Sequence, residues 1–390
     1  MELSQRLLRL PPYHFAAYNK KIADLRASGV DIINLSIGDP DLPTPPEVLD
    51  ALTQSAREPI NQRYPEYEGM IALREAFAAW FQRRFGVELD PRREMVTLIG
   101  SKEGLAHLPM AVMNEGDVAL MPNPAYPVYP TAVALAGGVC YDLSLDPERG
   151  WLPDLAAIPA DTLSRAKTLW LNYPNNPTGA AAPLSFFEEA VAFARKHDVL
   201  LIHDMAYAEV RFDGARPHSI LEIPGASDVA VEFHSFSKAY NMAGFRLGMM
   251  VGNPLICEGL TRLKSNIDTG IFRPLQLAGI RALELPESWI AERNAIYQRR
   301  RDVMVTALRG LGLRVESPQA GLYLWPQAPQ GETSGAFALR MLDEAAVAIT
   351  PGTNFGSGGE GYLRVTLTAP DARIDEAATR LRAALAPARG

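Results

Sequence analysis

Five short apolar runs punctuate the middle of the chain: EMVTLIG (94–100), DVALMP (117–122), TLWLN (168–172), VLLIHD (199–204) and VAVEFHS (229–235). Runs this short and this continuously apolar suit strands buried on both faces of a sheet. Between the third and fourth lies SFFEEAVAFARKHD, where Ser185 and Glu188 are spaced as a capping box ahead of an apolar helical face. Strand, helix, strand in that order implies a right-handed crossover and a mostly parallel sheet. The expected fold class is α/β: a large domain whose mostly parallel sheet is covered by helices.

The C-terminal part has a different texture. A long charged helical stretch (286–311) leads into GLRVES, GLYLWP, a helix near 334–346 and GYLRVTLT (361–368). This predicts a smaller α+β domain, 286–390, with the N-terminal segment 1–45 packed against it and a large domain over 46–285. Composition narrows the function classes. The net charge of −7 comes without blocks of like charge, so nothing favours nucleic acid or an anionic membrane as a partner. The longest charge-free run, Val118 to Tyr141, contains four prolines and is no membrane span. Cys140 and Cys257 have neither metal-ligand nor disulfide-framework spacing, and the N-terminus lacks a secretory apolar stretch. The expectation is a cytoplasmic protein without a metal site.

The residues just past each strand carry the functional signal. TLIG is followed by SKEG, ALMP by NPAYP, and WLN by YPNNPTG; LLIH ends in Asp204, and VEFHS runs into FSK. Open α/β sheets bind ligands beyond the carboxyl ends of their strands. Taken singly, each motif has an ordinary explanation. Asp204 suits a helix cap, Tyr207 a half-buried core aromatic, NNPTG a turn, and Arg364 a solvated strand position. Five such ends in succession are harder to explain that way. Two nucleotide motifs are absent or misplaced. GSKEG does not fit the phosphate loop of nucleotide triphosphatases. GSGGEG (356–361) matches a dinucleotide pattern but precedes a strand instead of opening a helix, and reads as a flexible loop.

One stretch needs a partner. HSFSKAYNMAGFRLGMM (234–250) holds Lys238 and Arg246 and no other formally charged side chain, amid small, aromatic and apolar residues. Cations withdrawn from water require opposing charge, from the chain itself or from a ligand.

With NYPNNPTG, HDMAY, NPAYPVY and LRVTLT, this stretch resembles the class I aminotransferases, pyridoxal-phosphate enzymes of fold type I. The similarity runs from LSIGDPDLPTPP to Arg364, and LIGSKEGLAHLP and KSNIDTGIF look most like the LL-diaminopimelate aminotransferase branch. The resemblance implies a role for each position. Lys238 would join covalently to the cofactor aldehyde and act as general base. Arg246, Ser235, Ser237 and the Ser101–Lys102 turn would hold the phosphate. Asp204 would pair with the pyridine nitrogen, Asn176 and Tyr207 would bond the phenolic oxygen, and Tyr126 would stack on the ring. Arg364, helped by Gly38 and Asn176, would clamp the substrate α-carboxylate. Tyr64 would reach the phosphate in a second subunit, since active sites in this family lie at a homodimer interface. The implied reaction is ping-pong transfer from an L-amino acid to a 2-oxo acid such as 2-oxoglutarate.

The same constellation supports β-elimination, and a C–S lyase or a broad aspartate, alanine or aromatic aminotransferase are the alternatives. Diaminopimelate carries a second amino and a second carboxylate group. Glu66, Glu68, Lys264 and Asn266 are polar candidates for them. Some members of the branch have glutamate three residues beyond the position of Tyr64, where this chain has Tyr67.

Overall fold

In the computed structural model all five apolar runs are strands: Met95–Leu98, Val118–Asn123, Ala166–Asn172, Leu200–Asp204 and Ala230–Ser235. The structure describes residues 1–8, 10 and 16–385. Residues 9, 11–15 and 386–390 of the two terminal segments expected above lie outside the described residues.

Two further strands complete a seven-stranded sheet, Val139–Ser144 and Gly248–Gly252. The first is a largely exposed edge strand and offers no continuous apolar run. The second, GMMVG, is fully buried but bounded by glycines that read locally as turns. Across the sheet the order is 95–98, 248–252, 230–235, 200–204, 166–172, 118–123, 139–144. Only Gly248–Gly252 runs against its neighbours. All the others therefore end on one edge, and register sets Asn172 beside Asp204.

Alternate side chains feed two cores. Leu169, Leu171, Leu201, Met249 and Val251 join Phe77, Phe81 and Phe187 on one face. Trp170, Ile202, Val231, Phe233 and Met250 join Leu105, Leu108 and Leu260 on the other. Helices cover both faces, as continuously apolar strands require.

A third core gathers Ile33, Leu35, Tyr297, Met304, Leu324, Phe337, Met341, Val365 and Ile374. Its frame has three parts. Ile33–Asn34 pairs in parallel with Val347–Ala348. Thr350–Pro351, Leu363–Thr366 and Tyr323–Leu324 form an antiparallel sheet. The helices Glu287–Gly310, Ser334–Ala345 and Asp371–Leu385 pack beside them.

Three local expectations are corrected. The helix Leu184–His197 begins behind Pro183 with no side-chain cap, so no capping box forms at Ser185 and Glu188. Ser185 already lies inside the first turn, and Pro183, at φ −72° and ψ 157°, provides the extended approach. The chain builds its capping box at Ser219 and Glu222 instead. GLRVES forms no strand: Leu313 and Val315 are buried, but the Val315 carbonyl accepts from the Arg309 guanidinium at 2.9 Å and not from a neighbouring strand. GSGGEG is a pinned loop, because the Gly358 N–H donates to Asn123 Oδ1 at 2.8 Å.

Candidate active site

At the shared strand edge opens a cavity of about 570 Å³. Its wall includes Gly38, Ser101, Lys102, Tyr126, Asn176, Asp204, Tyr207, Ser235, Ser237, Lys238, Arg246 and Arg364. Every position expected at the site therefore meets in one place, with the exception of Tyr64. That residue is 83% exposed and lies in a separate groove with Ile60, Arg63 and Phe272.

The floor is built from strand ends. Asp204 closes its strand fully buried, accepts from Tyr129 Oη at 2.6 Å and takes the Ala206 N–H at 3.2 Å. Burial pushes its carboxyl above the ordinary range despite these bonds. Such a group gains by meeting a proton-bearing nitrogen. Asn172, one strand over, donates to the Asp204 carbonyl at 2.8 Å and accepts the Asn176 N–H at 2.8 Å. It thereby fastens the NNPTG turn to the floor.

One end of the cavity is an anion cradle. The helix Ser101–Val112 starts behind Gly100 with no side-chain cap, so its first N–H groups remain available to an anion. Gly100 has φ 74°, and a Cβ there would stand 2.3 Å from Arg246 Nη2. Arg246 donates to Ser237 Oγ at 3.4 Å and to the Ala243 carbonyl at 2.9 Å, leaving donors to spare. Gly248 allows the closeness: a Cβ there would lie 2.5 Å from the Ser101 nitrogen.

Lys238 stands at the centre. Its ammonium donates to the Gly38 carbonyl at 2.7 Å, and burial lowers its pKa from the ordinary lysine value. Beyond it, Arg364 is only 6% exposed, not solvated. Its guanidinium donates to Asn176 Oδ1 at 3.0 Å and to the Ser36 carbonyl at 2.8 Å. It lies 4.3 Å from the Tyr323 ring centroid and 4.6 Å from that of Phe355. Its Nε is buried without a partner among the described residues. An arginine held by two aromatic rings with a donor to spare is suited to a carboxylate.

Four side chains at the site, Tyr129, Asn172, Tyr323 and Phe355, were given no role by sequence reasoning. Tyr129 supports Asp204, and Tyr323 bonds Tyr207 Oη to Oη at 2.8 Å while stacking on Arg364. Tyr129 is in the NPAYPVY phrase and could have been found there; nothing in GLYLWP marks Tyr323. The polar candidates for a distal substrate group do not line the cavity. Lys264 is buried against Glu103 and Asp268 at 2.8 and 2.9 Å. Asn266 bonds the Arg262 carbonyl, and Glu66 pairs with Arg273. Glu68 lies 3.7 Å from Arg74.

A lysine whose charge is disfavoured, a buried carboxylate, an anion cradle and a carboxylate-ready arginine are the parts of a pyridoxal-phosphate site. The family of class I and II aminotransferases matches residues 30–381. An LL-diaminopimelate aminotransferase of Dehalococcoides mccartyi is 51% identical over 98% of both chains. One of Moorella thermoacetica is 51% identical over 99% of both. The solved structure of BacF from Bacillus subtilis with bound substrate superposes with a TM-score of 0.93 at 37% identity, covering 98% of each chain. The chain belongs to the class I and II aminotransferases. It is a fold type I, pyridoxal-phosphate-dependent enzyme that moves an amino group from an amino acid to a 2-oxo acid.

Proposed function

We propose that the donor is LL-diaminopimelate and the acceptor 2-oxoglutarate, exchanged at one site by a ping-pong cycle. The relatives of that activity support this substrate, at 51% identity over 98% of the chain. The observation that carries the site assignment is Lys238, its charge disfavoured by burial, between Asp204 and Arg364 in one cavity.

Pyridoxal phosphate, when bound, supplies a ring that delocalises the electrons left as the α-proton departs. The chain does the rest. Ser101, Lys102, Ser235, Ser237 and Arg246 would hold the phosphate. Asp204, backed by Tyr129, would keep the ring nitrogen protonated, Asn176 and Tyr207 would hold the phenolic oxygen, and Tyr126 would cover the ring face. Arg364, with Gly38 and Asn176, fixes the α-carboxylate and presents the α-carbon to Lys238. The Lys238 amine, a base of lowered pKa, would take up the α-proton and carry it within the site. Retention of the carboxylate by Arg364 favours transamination over decarboxylation.

The working form is a homodimer in the cytoplasm, with Tyr64 of each subunit directed to the other's phosphate. The large exposure of Tyr64, beside exposed Ile60 and Phe272, supports such a contact. The domain division at 45 and 285 belongs to the same reading.

Steady-state kcat/KM across LL-diaminopimelate, aspartate, alanine and phenylalanine tests the donor. LL-diaminopimelate is expected to exceed the others by at least about a thousandfold, beyond the roughly 10- to 200-fold that a single methylene achieves. Parity with aspartate or alanine would replace it with a broad-specificity enzyme.

A further inference from the structure

The cavity wall carries six charged side chains: Asp39, Lys102, Asp204, Lys238, Arg246 and Arg364. The proposed function gives every one except Asp39 to the cofactor or the α-carboxylate. Asp39 also differs in its surroundings. Asp41, two residues on, is held by Arg300 at 2.7 and 3.0 Å. Asp39 takes no ion pair or side-chain hydrogen bond among the described residues and is exposed at the cavity mouth. An unpaired carboxylate in a cavity otherwise rich in cations has no structural duty there.

Its position is fixed by the segment that carries it. The Ser36 carbonyl accepts from Arg364 at 2.8 Å, and the Gly38 carbonyl from Lys238 at 2.7 Å. Gly38 is pressed so closely on Tyr323 that a Cβ would stand 2.1 Å from its hydroxyl. The segment thus runs from the carboxylate clamp, past the amine, to Asp39. Ser36 is a bend and residues 37–40 carry no regular structure, so Asp39 lies at most about 11 Å from Ser36 along the chain, within reach of an amino group at the far end of a long diamino acid whose α-carboxylate Arg364 holds. Coulombic reach is evident too: Asp39 opposes the effect of burial on Lys238.

We propose that Asp39 recognises a second ammonium group on the donor, and so selects diamino over monoamino substrates. The inference rests on the cavity being the donor site and adds a specificity residue to it. Because Asp39 is exposed, the pairing is partly screened by water and salt, and it acts on selectivity more than on turnover.

The test compares wild type, Asp39→Asn and Asp39→Glu as holoenzymes. It reads kcat/KM for LL-diaminopimelate, L-lysine and L-glutamate at low and high ionic strength. The expected result is a fall of about tenfold or more in the diamino-to-glutamate ratio of Asp39→Asn, carried by KM. Asp39→Glu restores part of the ratio, and added salt compresses the wild-type ratio more than that of Asp39→Asn. An Asp39→Asn ratio equal to wild type, or equal losses on all donors, overturns the role of Asp39 while leaving the donor assignment standing. Wild type inactive on LL-diaminopimelate but active on lysine, with the Asp39→Asn loss intact, overturns the donor assignment and keeps Asp39. Wild type inactive on both diamino donors overturns both.

Discussion

At the scale of single residues, the anion cradle depends on a close approach that leaves no room for a side chain. Gly100 combines φ 74° with a Cβ position 2.3 Å from Arg246 Nη2. Gly100→Ala is expected to weaken pyridoxal-phosphate binding by about tenfold or more, since a left-handed backbone and a displaced guanidinium each cost about 1 kcal/mol or more. Equilibrium dialysis of the cofactor against the variant reads this directly, and unchanged affinity would remove the cradle from the account. Arg364→Lys keeps the charge but loses the forked donors and the stacking on Tyr323 and Phe355. It should raise the donor KM by about 10- to 100-fold with a smaller effect on kcat. The grouping of the positions around Lys238 in one cavity was legible only through the family resemblance, whose motifs carry those residue types in that order. Tyr323 was not: its role exists only once Gly38, Tyr207 and Arg364 converge on it in space.

At the scale of elements, the sheet carries a second polar layer beneath the site. Glu232 accepts from His203 Nδ1 at 2.9 Å, His234 Nε2 at 2.7 Å, Ser219 Oγ at 2.9 Å and the Ile220 N–H at 2.9 Å. His203 also bonds the Tyr173 carbonyl at 3.0 Å, at the start of the turn that delivers Asn176. Burial alone would push the Glu232 carboxyl up, but the two imidazoles outweigh it and hold it at about 2, from an ordinary 4.5. A carboxyl held low in the folded state stabilises above its unfolded value, and that contribution is lost as pH falls through the folded one. Stability should therefore decline between pH 4.5 and about 2. Glu232→Gln should flatten this decline and cost about 3 kcal/mol near neutrality, as read by denaturant titration across pH. An unaltered pH profile would detach the network from stability. The strands were legible from continuous apolar runs, since burial on both faces imposes them. Gly248–Gly252 and the failed strand at GLRVES were not, because what decides them, pairing with 95–98 and 230–235 for the first and the Arg309 side chain for the second, lies outside the local pattern.

At the scale of the molecule, the helix Glu287–Gly310 ties the cores together through buried arginines. Arg293 donates to the carbonyls of Lys238, Ala239 and Glu209 at 2.6, 3.0 and 2.6 Å. Arg300 bridges Asp41 and Asp371. Arg293→Ala leaves the Lys238 and Ala239 carbonyls without their side-chain donor, while Glu209 keeps that of Asn294; a loss of about 3 kcal/mol is expected, with cofactor release on heating preceding global unfolding. Coincident transitions would contradict that coupling. No helix among the described residues is long and apolar enough to cross a membrane. Tyr64 marks the limit of what one chain displays, for its proposed target belongs to a second copy. A dimer of Tyr64→Phe subunits should keep its mass in sedimentation and lose cofactor affinity by several-fold, the worth of one charge-assisted hydrogen bond.

The most direct measurement is a single turnover of the yellow holoenzyme mixed with LL-diaminopimelate, followed by visible absorbance. Transamination at Lys238 predicts rapid bleaching, recovery of the band on adding 2-oxoglutarate, and neither event in Lys238→Ala. An unbleached band with LL-diaminopimelate, together with pyruvate and ammonia released from an amino acid bearing a sulfur leaving group on its β-carbon, would mean elimination and would contradict the account.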